Sequence, residues 1–216
     1  MDEAILIGTI EEAGSGSRTE RRDAVANRAR ILEAAEKLFA RRGVTAVSMA
    51  DIAQAADVGK GTLYRNFANK AELCLALMDS QMTEFQNNML SRMRQMTAEG
   101  KSNLEQLDHF LDMLVYFTDA HMPLLCEVQR EGLLYGSDSA LQLPHFWQHM
   151  TVSGLLRAAA TNGELSSGLD TDYLADAILA PLKADIFQFQ REVRGFSLER
   201  ISAGLRLLVA GLRYVK

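Results

Sequence analysis

Residues 48–70 read SMADIAQAADVGKGTLYRNFANK, and this stretch decides the architecture of the chain. Ser48 followed by Asp51 three residues later predicts a capping box, which opens a short helix. Asp57 and Gly59 then interrupt the helical pattern. Both residue types tolerate the positive φ that a tight turn between crossed helices requires. We therefore expect a helix, a turn and a second helix within these residues.

The second helix, over residues 60–67, presents a face whose chemistry suits DNA. Leu63 and Phe67 lie four residues apart and should point into the core. Arginine can read the O6 and N7 atoms of guanine, and Tyr, Thr and Lys suit phosphates. A glycine lets the helix backbone approach the duplex, and a lysine in the first turn of the next helix can meet a phosphate. The predicted DNA contacts are Ser48, Lys60, Gly61, Thr62, Tyr64, Arg65 and Lys70.

The surrounding sequence resembles the DNA-binding domain of the TetR family of bacterial repressors. The resemblance rests on RILEAAEKLFARRGV at 30–44, VSMADIAQAADVGKGTLYRNF at 47–67 and NKAEL at 69–73. Asp57 stands where that family usually has Gly, and Gly59 stands where it usually has Ser. The resemblance implies a three-helix DNA-binding head followed by a larger helical domain. That larger domain would bind a small effector and form a two-fold dimer.

The charge distribution favours DNA binding by the same segment, although the net charge of the chain is −5. Residues 18–72 hold 11 Lys and Arg against 7 Asp and Glu, whereas residues 73–216 hold 12 against 17. A positive segment is what attraction to the phosphate backbone requires. An arginine-rich run precedes the motif and either forms a solvated helix start or reaches phosphates or the minor groove. Its members are Arg18, Arg21, Arg22, Arg28 and Arg30.

Apolar residues at helical spacing predict an all-α fold of about nine helices, with no strand. Beyond the helix-turn-helix we expect helices over residues 26–42, 70–96, 103–119, 123–136, 144–161, 170–194 and from 197 onward. Pro123 should lie in the first turn of its helix, and Pro181 should kink the helix that contains it. We divide the chain into a flexible arm (1–23), a DNA-binding domain (24–70) and a ligand-binding and dimerisation domain (71–216).

The last two helices carry more apolar residues than a single buried stripe needs. Such a distribution reflects either internal burial or a face that meets a partner. We favour a partner, and the TetR-like interpretation makes it a second copy of the chain joined through a four-helix interface. Two heads are also what a palindromic DNA operator requires. Leu205 is our choice for the outward face.

Methionine and aromatic residues concentrate in the middle helices, where they indicate either ordinary core or a cavity for an irregular apolar ligand. The resemblance favours the cavity, because TetR-like regulators bind effectors in this bundle. Trp147 and Met150 form an i, i+3 pair, which we expect to face the helix of residues 103–119. The predicted lining residues are Met82, Phe110, Met113, Phe117, Tyr135, Trp147, Met150 and Asp185, with Gln148 as a further polar candidate.

Other chemistries have weaker support. His145 and His149 have the i, i+4 spacing of metal ligands, as do Glu127 and Glu131 on the preceding helix. Solvated or hydrogen-bonded roles are commoner for such residues, so we expect no metal and no cofactor.

The cysteines and the N-terminal apolar stretch indicate an ordinary intracellular protein. Cys74 and Cys126 match no zinc-ligand pattern, which favours free thiols in the cytoplasm. The apolar residues 4–10 are too few to span a membrane.

The leading interpretation is a cytoplasmic DNA-binding transcriptional regulator, not an enzyme. It would act as a homodimeric repressor that leaves a palindromic operator when a small apolar or amphipathic effector binds. One alternative is an effector-free regulator controlled by a partner protein. Another is a metal-dependent enzyme built on a helical bundle.

Overall fold

The computed structural model describes residues 15–131, 144–166 and 168–213. Within these ranges the chain forms nine α-helices and no β-strand, which confirms the all-α prediction. The helices are α1 (Ser15–Arg42), α2 (Met49–Ala55), α3 (Lys60–Asn66), α4 (Lys70–Ala98), α5 (Asn103–Arg130), α6 (Pro144–Thr161), α7 (Thr171–Leu179), α8 (Ala184–Gln188) and α9 (Leu198–Ala210).

The first helix is longer than the sequence pattern predicts. We expected it to begin at residue 26, but α1 begins at Ser15. Residues 15–23 of the predicted flexible arm are therefore helical, and residues 1–14 lie outside the described part of the chain. None of the helices in the described ranges has the length and apolarity that crossing a bilayer requires.

The prediction that Pro123 begins a new helix is wrong. Pro123 lies inside α5, which continues from Asn103 to Arg130. A proline in a helix interior costs about 3 kcal/mol, because its missing N–H and its ring disturb the preceding turn. Packing on both sides of Pro123 offsets that cost, since Met122 belongs to one hydrophobic core and Val128 to another.

Pro181 interrupts its helix more strongly than the predicted kink. After α7 the chain forms a 3₁₀ turn over Ala180–Leu182, and Lys183 is extended with φ −60° and ψ 141°. Helix α8 and a π-helical turn over Phe189–Val193 follow. In place of the single helix predicted over residues 170–194, the chain forms two short α-helices, a 3₁₀ turn between them and a π-helical turn after them, as expected where proline removes a backbone donor.

Two hydrophobic cores divide the molecule, and α4 contributes to both. The first, in what we call the head, joins α1, α2 and α3 with Leu73, Cys74 and Leu77 of α4. The second, in what we call the body, joins the rest of α4 with α5 to α9. Val128, near the end of α5, is completely buried in the head core. The head is thus held to the body by two long helices.

Candidate nucleic-acid interface and ligand site

The predicted capping box at Ser48 is present and starts α2. The Asp51 N–H donates to Ser48 Oγ at 3.2 Å, and the Ser48 N–H donates to Asp51 Oδ2 at 2.8 Å. The Ser48 hydroxyl also donates to Asp51 Oδ2, at 2.7 Å. These hydrogen bonds from Ser48 lower the pKa of the Asp51 carboxyl. The single hydroxyl proton of Ser48, for which we predicted a DNA contact, is donated to Asp51 within the cap.

The turn between α2 and α3 uses Asp57 and Gly59 differently. Asp57 has φ 50°, as predicted from its tolerance of the left-handed region. Gly59 has φ −66° and ψ 148° and is the residue that caps α3. Only Asp57 needs the positive φ that we expected of both.

Helix α3 presents the face that the sequence predicts. Leu63 and Phe67 are buried, at 0% and 1% exposure, and anchor the helix in the head core. Lys60, Gly61, Tyr64 and Arg65 are exposed on the other side, and Thr62 is half-buried. A Cβ atom built on Gly61 would meet no atom within 4 Å. Packing therefore does not require glycine there, although glycine in a helix costs about 0.5–1 kcal/mol relative to alanine.

Two arginines of the run that precedes the motif, Arg28 and Arg30, form contacts within the head. Arg28 stacks on the Phe67 ring, with its guanidinium carbon 4.4 Å from the ring centroid. Arg30 Nη2 donates to the carbonyl oxygens of Ala56 at 2.7 Å and Asp57 at 2.6 Å. Arg30 thereby satisfies carbonyls at the end of α2 that no helix bond can reach. Sequence reasoning missed this contact because the partners lie more than 25 residues away.

The ammonium of Lys70, for which we predicted a phosphate contact, is surrounded by acceptors of the chain itself. Its ammonium donates to the carbonyl oxygens of Val44 at 3.0 Å and Val47 at 3.2 Å. The same nitrogen lies 3.4 Å from Glu127 Oε1, and the Lys70 side chain is only 14% exposed. A lysine ammonium has three protons, and three acceptors surround this one.

Four aromatic side chains meet in the body, at the centre of the predicted ligand site. Trp147 of α6 lies edge-on to Phe110 of α5, with ring centroids 5.5 Å apart, and to Phe85 of α4, at 6.1 Å. Phe85 also lies 4.4 Å from Phe117 of α5. We call Phe85, Phe110, Phe117 and Trp147 the aromatic cluster. Phe85, absent from the predicted set, is its most connected member, and Met82 belongs to the same core.

The other predicted lining residues do not join this cluster. Met150 is 52% exposed, so the prediction that it faces the bundle with Trp147 is wrong. Met113 and Asp185 are also exposed, and the predicted orientation of Met113 is wrong for the same reason. Gln148 is half-buried. Tyr135 lies outside the described residues.

A separate cleft of about 930 Å³ lies where the body meets the head. Its walls are the end of α5, the segment from Gln188 to Ser197, and Thr45 in the turn between α1 and α2. Arg191 crosses this cleft and donates to Asp119 Oδ1 at 2.8 Å and to the Phe196 carbonyl at 2.7 Å. None of the seven predicted ligand-contacting residues that the structure describes lines it.

Two of the residues considered for metal binding, His149 and Glu127, have other partners, and Glu131 is exposed. His149 Nδ1 lies 2.8 Å from Asp176 Oδ1. Glu127 is buried and pairs with Lys70 and Arg130. Within the described ranges no three His, Cys, Asp or Glu side chains are grouped to hold a metal ion. The side chain of His145 lies outside those ranges.

Comparison with known proteins identifies the family. The head matches the family "Bacterial regulatory proteins, tetR family" over residues 31–77. Over most of its length the chain is similar to the HTH-type transcriptional regulator SAR2658 of Staphylococcus aureus (strain MRSA252). The two are 32% identical over 182 residues, which cover 83% of this chain and 90% of the relative. The chain belongs to the TetR family. It is therefore a transcriptional regulator with a helix-turn-helix head.

Solved structures share the fold of this TetR-family chain. A TetR-family regulator from Pectobacterium atrosepticum aligns with a TM-score of 0.68 and 22% identity, covering 90% of this chain and 98% of that one. FadR of Thermus thermophilus, a TetR-family repressor solved in complex with lauroyl-CoA, aligns with a TM-score of 0.65 and 19% identity. That alignment covers 88% of this chain and 96% of FadR.

The TetR-family body also presents an exposed apolar stripe on α9. Ile201, Leu205 and Val209 are buried, so the prediction that Leu205 faces outward is wrong. Leu207 and Leu208 are exposed on another face of the helix. Gly204 and Gly211, also exposed, complete an i, i+3, i+4, i+7 stripe with these two leucines.

Proposed function

We propose that this regulator is a homodimeric repressor that binds a palindromic operator through α3 and releases it when a small amphipathic effector binds in the body. The observation that carries the DNA-binding half is the face of α3. A cation, a phenol and a guanidinium project from a short helix whose opposite side is fixed by Leu63 and Phe67. Rigid support of this kind is what base readout in the major groove requires.

The individual roles follow from side-chain chemistry. Arg65 is the candidate for bidentate readout of guanine, since among the described residues its guanidinium makes one long contact, to Thr62 Oγ1 at 3.4 Å. Tyr64 and Lys60 are the candidates for phosphate contacts. Gly61 supports close approach, because an exposed glycine with open space around it has no packing reason to be there.

The dimer half of the proposal is supported by the stripe on α9. A helix stripe of two leucines and two glycines lets another helix approach closely and bury both leucines. Further exposed apolar side chains, Ile186, Phe189 and Val193, lie in the segment that precedes α9. An apolar surface that recurs on neighbouring segments is typical of a subunit interface.

The effector half is supported by the aromatic cluster and by its connection to the head. Phe117 stacks on the His121 ring, with centroids 4.1 Å apart. His121 Nε2 lies 2.7 Å from Gln81 Oε1, and the Gln81 amide donates to Glu36 Oε1 of α1 at 3.4 Å. A ligand that displaces the Phe117 ring would therefore disturb contacts that reach the head. An amphipathic ligand also agrees with the lauroyl-CoA bound by the fold neighbour from Thermus thermophilus.

The DNA-binding half is tested by operator selection from random DNA followed by titration. Tyr64→Ala should weaken binding to all selected sequences, because phosphate contacts carry no sequence information. Arg65→Ala should relax discrimination at one base pair, by about 1–3 kcal/mol. Lys37→Ala, on an exposed part of α1, is the matched control and should change neither quantity. Unchanged affinity and discrimination in both α3 variants would show that α3 does not read DNA.

The effector half is tested by native mass spectrometry of the protein purified from its own host, followed by titration with the ligand found. Trp147 fluorescence should respond to that ligand, because its ring forms part of the aromatic cluster. Operator and ligand should weaken each other by the same factor, typically about 5- to 150-fold. A ligand that binds tightly in the body and leaves operator affinity unchanged would refute the switch.

A further inference from the structure

The ammonium of Lys70 joins three parts of the molecule that are far apart in sequence. Lys70 opens α4, its acceptors Val44 and Val47 lie in the turn before α2, and Glu127 lies near the end of α5. The turn that carries Val44 and Val47 precedes the helix-turn-helix directly. One side chain therefore connects the DNA-binding motif to α5, a long helix of the body.

Glu127 is a buried carboxylate that two neighbouring cations neutralise. It is 5% exposed, and a buried carboxylate is unfavourable unless cations and donors surround it. Lys70 lies 3.4 Å away, and Arg130 Nη2 lies 2.6 Å away with its own side chain largely in solvent. Val128, next in sequence, is completely buried in the head core. The end of α5, a helix that otherwise belongs to the body, is thus held against the head beside Lys70.

The cleft at the head–body junction reaches this contact from one side. Thr45, Glu127 and Arg130 all line it. The cleft therefore lies beside the Glu127 end of the ion pair, whereas Val128 makes its apolar contacts in the head core. A change in the contact between Lys70 and Glu127 could therefore alter the angle between the head and α5 without unfolding either core.

We propose that Lys70 and Glu127 are a positioning pair, which sets the orientation of the head on α5 and contacts no DNA. This inference rests on the proposed function, since the orientation matters because two heads must meet successive major grooves. Recognition helices of a dimer must lie about 34–36 Å apart to do so. Loss of the pair lets each head rotate, and fewer protein molecules then have both α3 helices in register with the operator.

Salt dependence separates a positioning role from a phosphate contact. Each phosphate contact that is lost reduces the slope of log K against log salt concentration by about 0.9. Lys60→Met should show that reduction and is the matched control. Lys70→Met should leave the slope unchanged and lower operator affinity by about 5- to 150-fold, the usual range of a coupling between sites. Glu127→Gln, on a buried residue of α5, should have the same effect.

The double variant and the operator spacing distinguish positioning from a general loss of stability. Lys70→Met with Glu127→Gln should bind no more weakly than either single variant, because both remove one interaction. All three variants should tolerate operators whose half-sites are one base pair closer or farther apart better than the wild-type protein does. Arg130 remains beside Glu127 in Lys70→Met, so thermal unfolding should stay cooperative.

A measurement without DNA completes the test. Spin labels at Lys37→Cys on α1 and Arg157→Cys on α6, in a Cys126→Ser background, report the distance between head and body. Glu127→Gln should broaden that distance distribution. An unchanged distribution, or a slope reduced in Lys70→Met but not in Glu127→Gln, would overturn the positioning pair. A wild-type protein that selects no DNA sequence would refute the proposed function instead, and the label distances would still decide on the pair.

Discussion

Replacing Leu207 with glutamate should separate the proposed dimer into folded monomers. Leu207 is 73% exposed in the single chain, whereas burying a leucine completely is worth about 1.5–3 kcal/mol. Covering the exposed part would contribute about 1–2 kcal/mol for each copy. A two-fold interface contains the residue twice, so the variant loses about 2–4 kcal/mol per dimer. At about 1.4 kcal/mol per decade, the dimer Kd rises roughly 30- to 700-fold.

Sedimentation velocity over a dilution series measures this change directly. Leu90→Glu, on a leucine of α4 that is 43% exposed, is the control and should leave the dimer Kd unaltered. Leu205→Glu should instead lower the free energy of unfolding of the chain itself, because Leu205 is 3% exposed and its replacement buries a charge in the body core. Thermal unfolding of the Leu207→Glu monomer should stay cooperative. A dimer Kd that is the same in Leu207→Glu and wild-type protein would refute the interface, and a monomeric wild-type protein at micromolar concentration would refute the dimer itself.

Three further variants test other contacts. Gly61→Ala should raise the free energy of unfolding by about 0.5–1 kcal/mol, because the new Cβ meets nothing, while weakening operator binding in a titration. Glu164→Gln should lower the free energy of unfolding, measured in urea at pH 7, by about 1 kcal/mol, because the carboxylate accepts from the N–H groups of Leu104 and Asn103 and caps α5. Burial alone would raise the pKa of Glu164, but these hydrogen bonds outweigh it and lower the pKa below 4.5. The difference in the free energy of unfolding between the wild-type protein and Glu164→Gln should therefore shrink as the pH falls through that lowered pKa. Gln81→Ala should reduce the ratio of operator Kd values with and without effector, because it removes the link between His121 and Glu36; an unaltered ratio would exclude that route.

The head could be predicted from sequence because its structure depends on local rules. The capping box at Ser48, the positive φ of Asp57 and the burial of Leu63 and Phe67 each follow from residues within a few positions. Helix boundaries that depend on distant packing were harder to predict. Pro123 is a helix-start signal by local rules, yet α5 continues through it because its two sides pack into different cores.

The ligand site was predicted in part because helical periodicity gives the spacing of a face but not its rotation. Trp147 faces the bundle, while Met150, three residues later, is turned into solvent. Phe85 of α4 has the same apolar character as its neighbours in sequence and was not distinguished from ordinary core. Only the packing of α4, α5 and α6 against one another brings its ring to the centre of the cluster.

Lys70 illustrates why a correct motif does not by itself assign a contact. The pattern NKAEL correctly predicts the Asn69 cap and the start of α4, and a lysine at a helix start suits phosphate. Its ammonium nevertheless has acceptors 23, 26 and 57 residues away, at Val47, Val44 and Glu127. A local sequence pattern cannot predict partners that are so far apart in the sequence. The long lysine side chain can either extend into solvent or fold back onto the protein. The buried carboxylate of Glu127 favours the folded-back conformation, because a buried charge without a neighbouring cation is strongly destabilising. A basic residue beside a DNA-binding motif must therefore be tested for an internal partner before it is counted as a DNA contact.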